Sequence, residues 1–323
     1  MSTSTRNFLY PLTGLACAAA VAFFAPGVLS PFDLRILNLG LLAGIAAVGL
    51  VVSFGYTGLI NIGQSAFMCI GAYISAVLTL RFGLSPVLTV PVSVAAGILA
   101  AAAIGLPLLR LRGHYLALGT LGLVVTIEVI VKNWTGVTGG YDGLSGIRPL
   151  EAFGVDFAED ENFIFIVAGL LYLFVLFGMA LRHSRFGRAM IIVRDDELSA
   201  AACGVNVFRT KMLAFAISGG CGALSGALTA HYSLYIAPSD FDLVRALMVL
   251  TMVILGGEMS FFGAFLGAVF LTFLPEWLRF VGSAYIAVFS VLLILVLVFL
   301  PNGLFQGLGN FLRGLLRRSK VSR

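Results

Sequence analysis

The chain has 323 residues, 60% of them apolar and only 11% charged, and a mean hydropathy of +1.05. A water-covered domain carries about 25% charged residues, so a soluble enzyme, a disordered chain and a collagen-like chain are all excluded. The net charge of +5 must then sit on the flanks of a polytopic membrane protein.

Long apolar runs separated by short polar breaks favour helices over strands. The expected fold class is therefore all-α, with about ten transmembrane helices of about 20 residues each. They fall near 8–29, 36–54, 66–80, 86–109, 115–131, 163–181, 212–230, 244–258, 260–278 and 284–300. The whole chain, 1–323, is read as one transmembrane domain. Arg6, followed by small residues such as Ala20 and Ala22, also fits a cleaved signal peptide. The first run is longer than the usual signal core, which favours a span.

Between the second and third runs lies Gly55-Tyr-Thr-Gly-Leu-Ile-Asn-Ile-Gly-Gln-Ser-Ala-Phe67. Tyr56, Thr57, Asn61, Gln64 and Ser65 are polar side chains set among three glycines. Broken backbone at membrane depth survives only where protein or a water-filled cavity satisfies it. One reading is a re-entrant or broken helix lining a translocation path; the other is an ordinary polar turn at the membrane surface. Further on, Glu128 stands one helical turn before Lys132. An intramembrane acid points to function, but the i,i+4 spacing favours a structural ion pair. A proton relay would require further buried acids or histidines.

The segment 132–162 is expected as an external loop, and 182–211 as the largest cytoplasmic one. Within the latter, Asp195 or Asp196 can cap a helix, Glu197 favours its positive end, and Gly204 suits the residue after its last turn. A two-turn helix over 196–203 follows, suited to docking in a partner's groove; the alternative is a merely solvated loop. Ser218, Gly219, Gly220, Gly222, Ser225 and Gly226 form a crowded small-residue face, most simply read as helix–helix packing. Glu258 is a second odd acid, at the inner end of the eighth run. The tail 301–323 carries Arg313 to Arg323 and reads as a membrane-surface anchor.

With the N-terminus inside, fourteen of the twenty Lys and Arg residues fall on cytoplasmic segments. The positive-inside rule is met without moving a span, and both termini are expected to be cytoplasmic. The basic residues are thus accounted for without nucleic acid, which is not expected as a partner. Ten spans also divide into two sets of five, and an odd number reverses orientation, so two inverted five-helix repeats would follow. The break at 55–65 then corresponds to the polar, Pro-broken stretch 231–243. Lys132, Lys211 and Lys320 are the only lysines, and none belongs to a phosphate-binding loop. Any ATP must be bound by another chain. The dispersed cysteines and histidines fit no metal spacing, and no cofactor is expected on this chain.

Three stretches now carry a resemblance. They are Gly58-Leu-Ile-Asn-Ile-Gly-Gln-Ser-Ala-Phe67 with Gly71-Ala-Tyr73, Arg112-Gly-His-Tyr-Leu-Ala-Leu-Gly-Thr-Leu121 with Thr138-Gly-Gly140, and Arg185-Phe-Gly-Arg188 through Gly204. A fourth, Leu255-Gly-Gly257 through Gly263, matches less well. In this order they resemble the branched-chain amino-acid permeases of ABC importers, on the LivM side of the pair. Glu197, Ala200, Ala201 and Gly204 look like the coupling-helix signature of such permeases. The chain departs from the family pattern at Met259, where a third glycine is usual, and at Val124–Val125, where a Gly-Glu pair is common. These departures bear on substrate identity more than on transporter class.

The resemblance implies a half-transporter in the bacterial cytoplasmic (inner) membrane. Its partners would be a second, LivH-like permease, two ATP-binding subunits and an extracytoplasmic substrate-binding protein. Arg194, Asp195, Asp196, Glu197, Ala200, Ala201 and Gly204 would receive motion from the ATPases. Tyr56, Thr57, Asn61, Gln64, Ser65 and Thr120 would be candidates to line the path. Relatives that carry urea or amides leave the solute open. An ion-coupled transporter would need paired intramembrane charges, and an intramembrane enzyme would need clustered catalytic side chains; the sequence offers almost none of the former and no cluster of the latter.

Overall fold

The apolar runs between residues 30 and 278 fold as helices whose ends are set by local side chains. The structure is a computed structural model and describes residue 23, residues 25–278 apart from 112, 153, 154 and 158, and residue 291. The helices are α1 (Pro31–Leu50, continued by a π-helical turn Val51–Tyr56), α2 (Gln64–Phe82), α3 (Pro86–Leu108), α4 (His114–Asn133) and α5 (Asp160–His183). There follow α6 (Arg185–Asp195), α7 (Glu197–Ala202), α8 (Val207–Ser233), α9 (Leu243–Gly256) and α10 (Phe261–Trp277).

Among the described residues, six helices are long and apolar enough to cross a membrane: α1 with its π turn, α2, α3, α4, α5 and α8. With the shorter α9 and α10 they occupy the eight runs expected between 36 and 278. The spans expected at 8–29 and 284–300 and the tail 301–323 lie outside the described residues, apart from residues 23, 25–29 and 291.

Capping explains several of the boundaries. Ser30 accepts from the Asp33 amide at 3.2 Å ahead of Pro31, Asn206 from Arg209 at 2.9 Å, Asp242 from Arg245 at 2.8 Å, and Ser260 from Gly263 at 2.9 Å. Each satisfies an amide that the first helical turn leaves open. The long α5 opens on Asp160 and Glu161 and closes on Arg182 and His183, matching charge to both ends of its dipole.

The connections gather at two opposite ends. At one, which Arg148 marks, His231 near the end of α8 meets the Arg148 carbonyl, and Leu144–Ser145 pairs antiparallel with Tyr235–Ile236. The starts of α1 and α5 are joined there to the end of α8. Asn38 donates to the Asp160 carbonyl at 3.0 Å and to the Tyr232 hydroxyl at 3.2 Å, and Tyr232 donates to the Asp160 carboxylate at 2.5 Å. At the other end, which Arg194 marks, lie the π turn, α6, α7 and the α9–α10 turn.

Packing between the two halves is crossed. The α2–α3 hairpin lies on α8, and the α9–α10 hairpin lies on α1, while α1 and α8 run antiparallel at the centre. Small residues allow this closeness. A Cβ on Gly226 would meet the Met68 carbonyl oxygen of α2 at 1.9 Å, and one on Gly71 would meet that of Ala223 at 2.1 Å. On the α3 side, a Cβ on Gly97 would meet the Ala223 methyl at 2.3 Å. The small-residue face of α8 is therefore a packing surface, with backbone-to-backbone contact that lipid cannot supply. By contrast α3, α4 and α5 turn most of their apolar surface outward.

Candidate functional site

The polar stretch 55–67 enters the protein well below the end of α1. Gln64 Nε2 donates to the Ala46 carbonyl at 2.9 Å and to the Ser218 carbonyl at 3.1 Å. Ala46 lies ten residues before Tyr56, about 15 Å along the helix at 1.5 Å per residue. The segment thus breaks the helical run and enters the bundle, with Asn61 and Gln64 wholly buried, and its backbone needs partners from the protein.

Those partners form a closed hydrogen-bond knot. The Ser218 hydroxyl, midway along α8, donates to Gln64 Oε1 at 2.8 Å and accepts from Ser53 at 3.2 Å and from Asn61 Nδ2 at 3.5 Å. Asn61 Oδ1 accepts from the Gly63 amide at 2.9 Å, and Thr120 Oγ1 of α4 accepts from the Ile62 amide at 3.0 Å. Ser53, Asn61, Gln64, Ser65, Thr120 and Ser218 are all 0% exposed.

The structure therefore brings Asn61, Gln64 and Thr120 together and separates them from the other path candidates. Thr57 turns back on its own helix and donates to the Ser53 carbonyl at 2.5 Å. Tyr56 packs its ring on Phe261 of α10 with centroids 5.7 Å apart. The Ser65 hydroxyl is buried without a partner among the described residues. In this conformation Asn61, Gln64 and Thr120 are wholly buried. Leaving one such buried polar group unpaired costs about 1–3 kcal/mol, so the knot holds the break in one arrangement. Ser53 and Ser218 were not singled out as site residues from sequence; their signal was only that each is a serine within an apolar run.

At the Arg194 end, α6 and α7 build the second candidate region. Ser184 caps α6 by accepting from the Gly187 amide at 3.0 Å, and Gly187, Met190 and Val193 bury one side of it. The expected cytoplasmic loop 182–211 thus contains a helix over Arg185–Asp195, for which the Ser184 cap and this three-residue spacing are the local signals. α7 matches the expected short helix. Asp196 accepts from the Leu198 amide at 3.0 Å and the Ser199 amide at 3.3 Å. The Ser199 hydroxyl and these amides hold its carboxyl below the ordinary carboxylate range. Gly204, at φ +79°, ends the motif in the left-handed region that glycine favours.

Of the residues expected to serve coupling, Ala200 is buried beneath α7, whereas Asp195, Asp196, Glu197, Ala201 and Gly204 are exposed. Leu198 projects from α7 at 82% exposure. Glu197 pairs with Lys211 at 2.5 Å and so fastens α7 to the first turns of α8. Arg194 points the other way, into the protein. Its Nη1 donates to the Gly55 carbonyl, and its Nη2 meets Glu258 Oε2 at 2.7 Å. The odd acid Glu258 is thereby paired.

Two further polar groups have structural explanations. Glu128 pairs with Lys132 at 2.5 Å, as the i,i+4 spacing implied. His231 Nδ1 lies 2.8 Å from the Arg148 carbonyl, which can only accept, so Nδ1 carries the proton. Its Nε2 then accepts from Ser75 at 2.7 Å, and Ser75 lies 2.8 Å from Thr89. This buried chain fastens α2, α3 and α8 together. Among the described residues no three His, Cys, Asp or Glu side chains converge as metal ligands would.

Comparison with known proteins gives a consistent result. A profile described as "branched-chain amino acid transport system / permease component" matches residues 33–301. The chain is 31% identical to the high-affinity branched-chain amino acid transport system permease protein LivM of Escherichia coli (strain K12), over 90% of this chain and 74% of that protein. It is 25% identical to the probable branched-chain amino acid transport permease protein LivM of Methanocaldococcus jannaschii, over 80% of this chain and 89% of that protein. To the permease protein LivH of Salmonella typhimurium it is 26% identical, over 83% of this chain and 92% of that protein. No solved structure matches the chain.

Proposed function

Because the chain belongs to the branched-chain amino acid transport system permease family, we propose that it is one membrane-spanning half of an ATP-driven importer in the bacterial cytoplasmic membrane. A second, LivH-like permease completes the conduit, two ATP-binding subunits engage the Arg194 end, and a substrate-binding protein delivers the solute at the Arg148 end. The solute is a branched-chain amino acid. Both termini are cytoplasmic, and the two crossed hairpins are halves of inverted repeats, in which each central helix is clasped by the other half.

The observation that carries this reading is α7. It is a capped helix at a membrane boundary, fixed to α8 through Glu197–Lys211 and preceded by Arg194, which reaches the broken helix. It presents Leu198, Ala201 and Gly204 outward. A small, anchored, outward-facing helix is suited to seating in a groove of another subunit. At the centre, the knot of Asn61, Gln64, Thr120, Ser53 and Ser218 is the closed state of the path. Transport requires it to exchange its internal bonds for bonds to solute or water.

The competing reading, an ion-coupled transporter, finds less support. Glu128, Glu197 and Glu258 each have a basic partner, and no chain of buried acids links the two ends among the described residues. Deletion of the gene from a strain that carries the complete transport operon tests the proposal. Uptake of labelled leucine at micromolar concentration falls to background and returns with the gene on a plasmid. Unchanged uptake in the deletion strain would refute the assignment.

A further inference from the structure

Arg194 ties the α6–α7 segment to the broken helix through its guanidinium, and three observations converge on this contact. Its Nη1 donates to the Gly55 carbonyl within the π turn of α1, and its Nη2 meets Glu258 Oε2 at 2.7 Å. The backbone is close as well: a Cβ on Gly55 would lie 1.8 Å from the Glu258 carbonyl oxygen, and one on Gly58 would lie 3.3 Å from Arg194 Cγ. No side chain larger than hydrogen fits at Gly55 without displacing the α9–α10 turn. The π turn itself holds Ser53, whose hydroxyl reaches Ser218 in the central knot. π-Helical turns are rare and concentrate where a helix must change shape.

We propose that the Arg194–Glu258 pair is the strut that carries displacement of α7 to the π turn of α1, and through Ser53 to the knot that closes the path. Arg194 and Glu258 are positioning residues: they touch neither ATP nor solute. The contact is an ion pair with one backbone acceptor, set between α6, α1 and the α9–α10 turn. When α7 moves, the guanidinium three residues ahead of its first residue moves the Gly55 carbonyl and the Glu258 turn together. Packed side chains and hydrogen-bond networks that have two discrete arrangements carry coupling between distant sites, and the proposal gives that role to the π turn. The proposal rests on the importer reading, since the motion it transmits comes from ATP-binding subunits.

The test uses the complete transporter in proteoliposomes: both permeases, both ATP-binding subunits and the binding protein. Glu258→Gln keeps the side-chain shape and a hydrogen-bond acceptor while removing the charge; Arg194→Gln removes the guanidinium. In both variants, ATP hydrolysis stimulated by loaded binding protein stays within about threefold of the parent. Leucine taken up per ATP hydrolysed falls at least tenfold. The reversed pair, Arg194→Glu with Glu258→Arg, recovers a substantial part of that ratio, because an arginine at 258 also stands beside Gly55. An unchanged uptake-to-hydrolysis ratio in the single variants would overturn the strut. So would a fall of uptake and hydrolysis in equal proportion to the amount of assembled complex, which marks a purely structural pair. Failure of the parent complex to take up leucine with ATP would refute the importer reading itself, a result separate from either of these.

Discussion

The side chains that decide this molecule's behaviour are few and mostly buried. Gln64 uses both amide protons and its carbonyl oxygen within the knot, so Gln64→Leu leaves the Ser218 hydroxyl without its acceptor. We expect a loss of about 1–3 kcal/mol, read as a lower melting temperature in detergent, and at least a tenfold loss of leucine uptake. Glu128→Gln is the contrasting case. An i,i+4 pair near a surface contributes little to stability, so this variant keeps uptake within twofold of the parent; a complete loss would make Glu128 a functional acid. The reading of Glu128 was legible in sequence because the pair is local. The role of Ser218 was not, because its partners lie 154 to 165 positions away.

At the scale of elements, α7 was legible because its signals are all within ten residues: a capping aspartate, an acid in the first turn and a glycine past the end. The same locality sets its pH behaviour. Because the folded pKa of Asp196 is held below the ordinary carboxylate value, the cap contributes fully above about pH 4. It is lost only as pH falls through the lowered folded value. The α7 segment is therefore insensitive to pH between 5 and 8, which limited proteolysis of this loop in proteoliposomes measures directly. Asp196→Asn keeps the cap and Asp196→Ala removes it; only the second increases cleavage. Gly204→Val forces a branched side chain into φ +79° and is expected to abolish uptake while the protein still inserts in the membrane. α6 and the π turn were harder to see. The first is amphipathic but short, and the second is held by contacts from distant segments: Arg194 on the Gly55 carbonyl and Ser218 on the Ser53 hydroxyl.

At the scale of the whole molecule, hydropathy was enough to place eight helices between 31 and 277, six of which, among the described residues, are long and apolar enough to cross a membrane. What it could not supply was which helices touch. The crossed packing of α2–α3 on α8 and of α9–α10 on α1 depends on glycine contacts between distant segments. Gly226→Leu at the α2 contact, where a Cβ already meets a carbonyl at 1.9 Å, is expected to remove folded protein from the membrane altogether, seen by immunoblot of extracted fractions. Orientation has its own check: exposed Cys203 sits at the end proposed as cytoplasmic. A membrane-impermeant thiol reagent should label it in permeabilised cells and not in intact ones, whereas labelling of intact cells would invert the topology.

The most direct measurement is leucine uptake by proteoliposomes that hold the permease pair and ATP-binding subunits, with loaded binding protein outside and ATP sealed inside. An ATP-driven importer takes up leucine only with ATP and this chain present, and uptake persists when ion gradients are collapsed by ionophores. Uptake that proceeds without ATP and stops when the gradients are collapsed would contradict the importer reading.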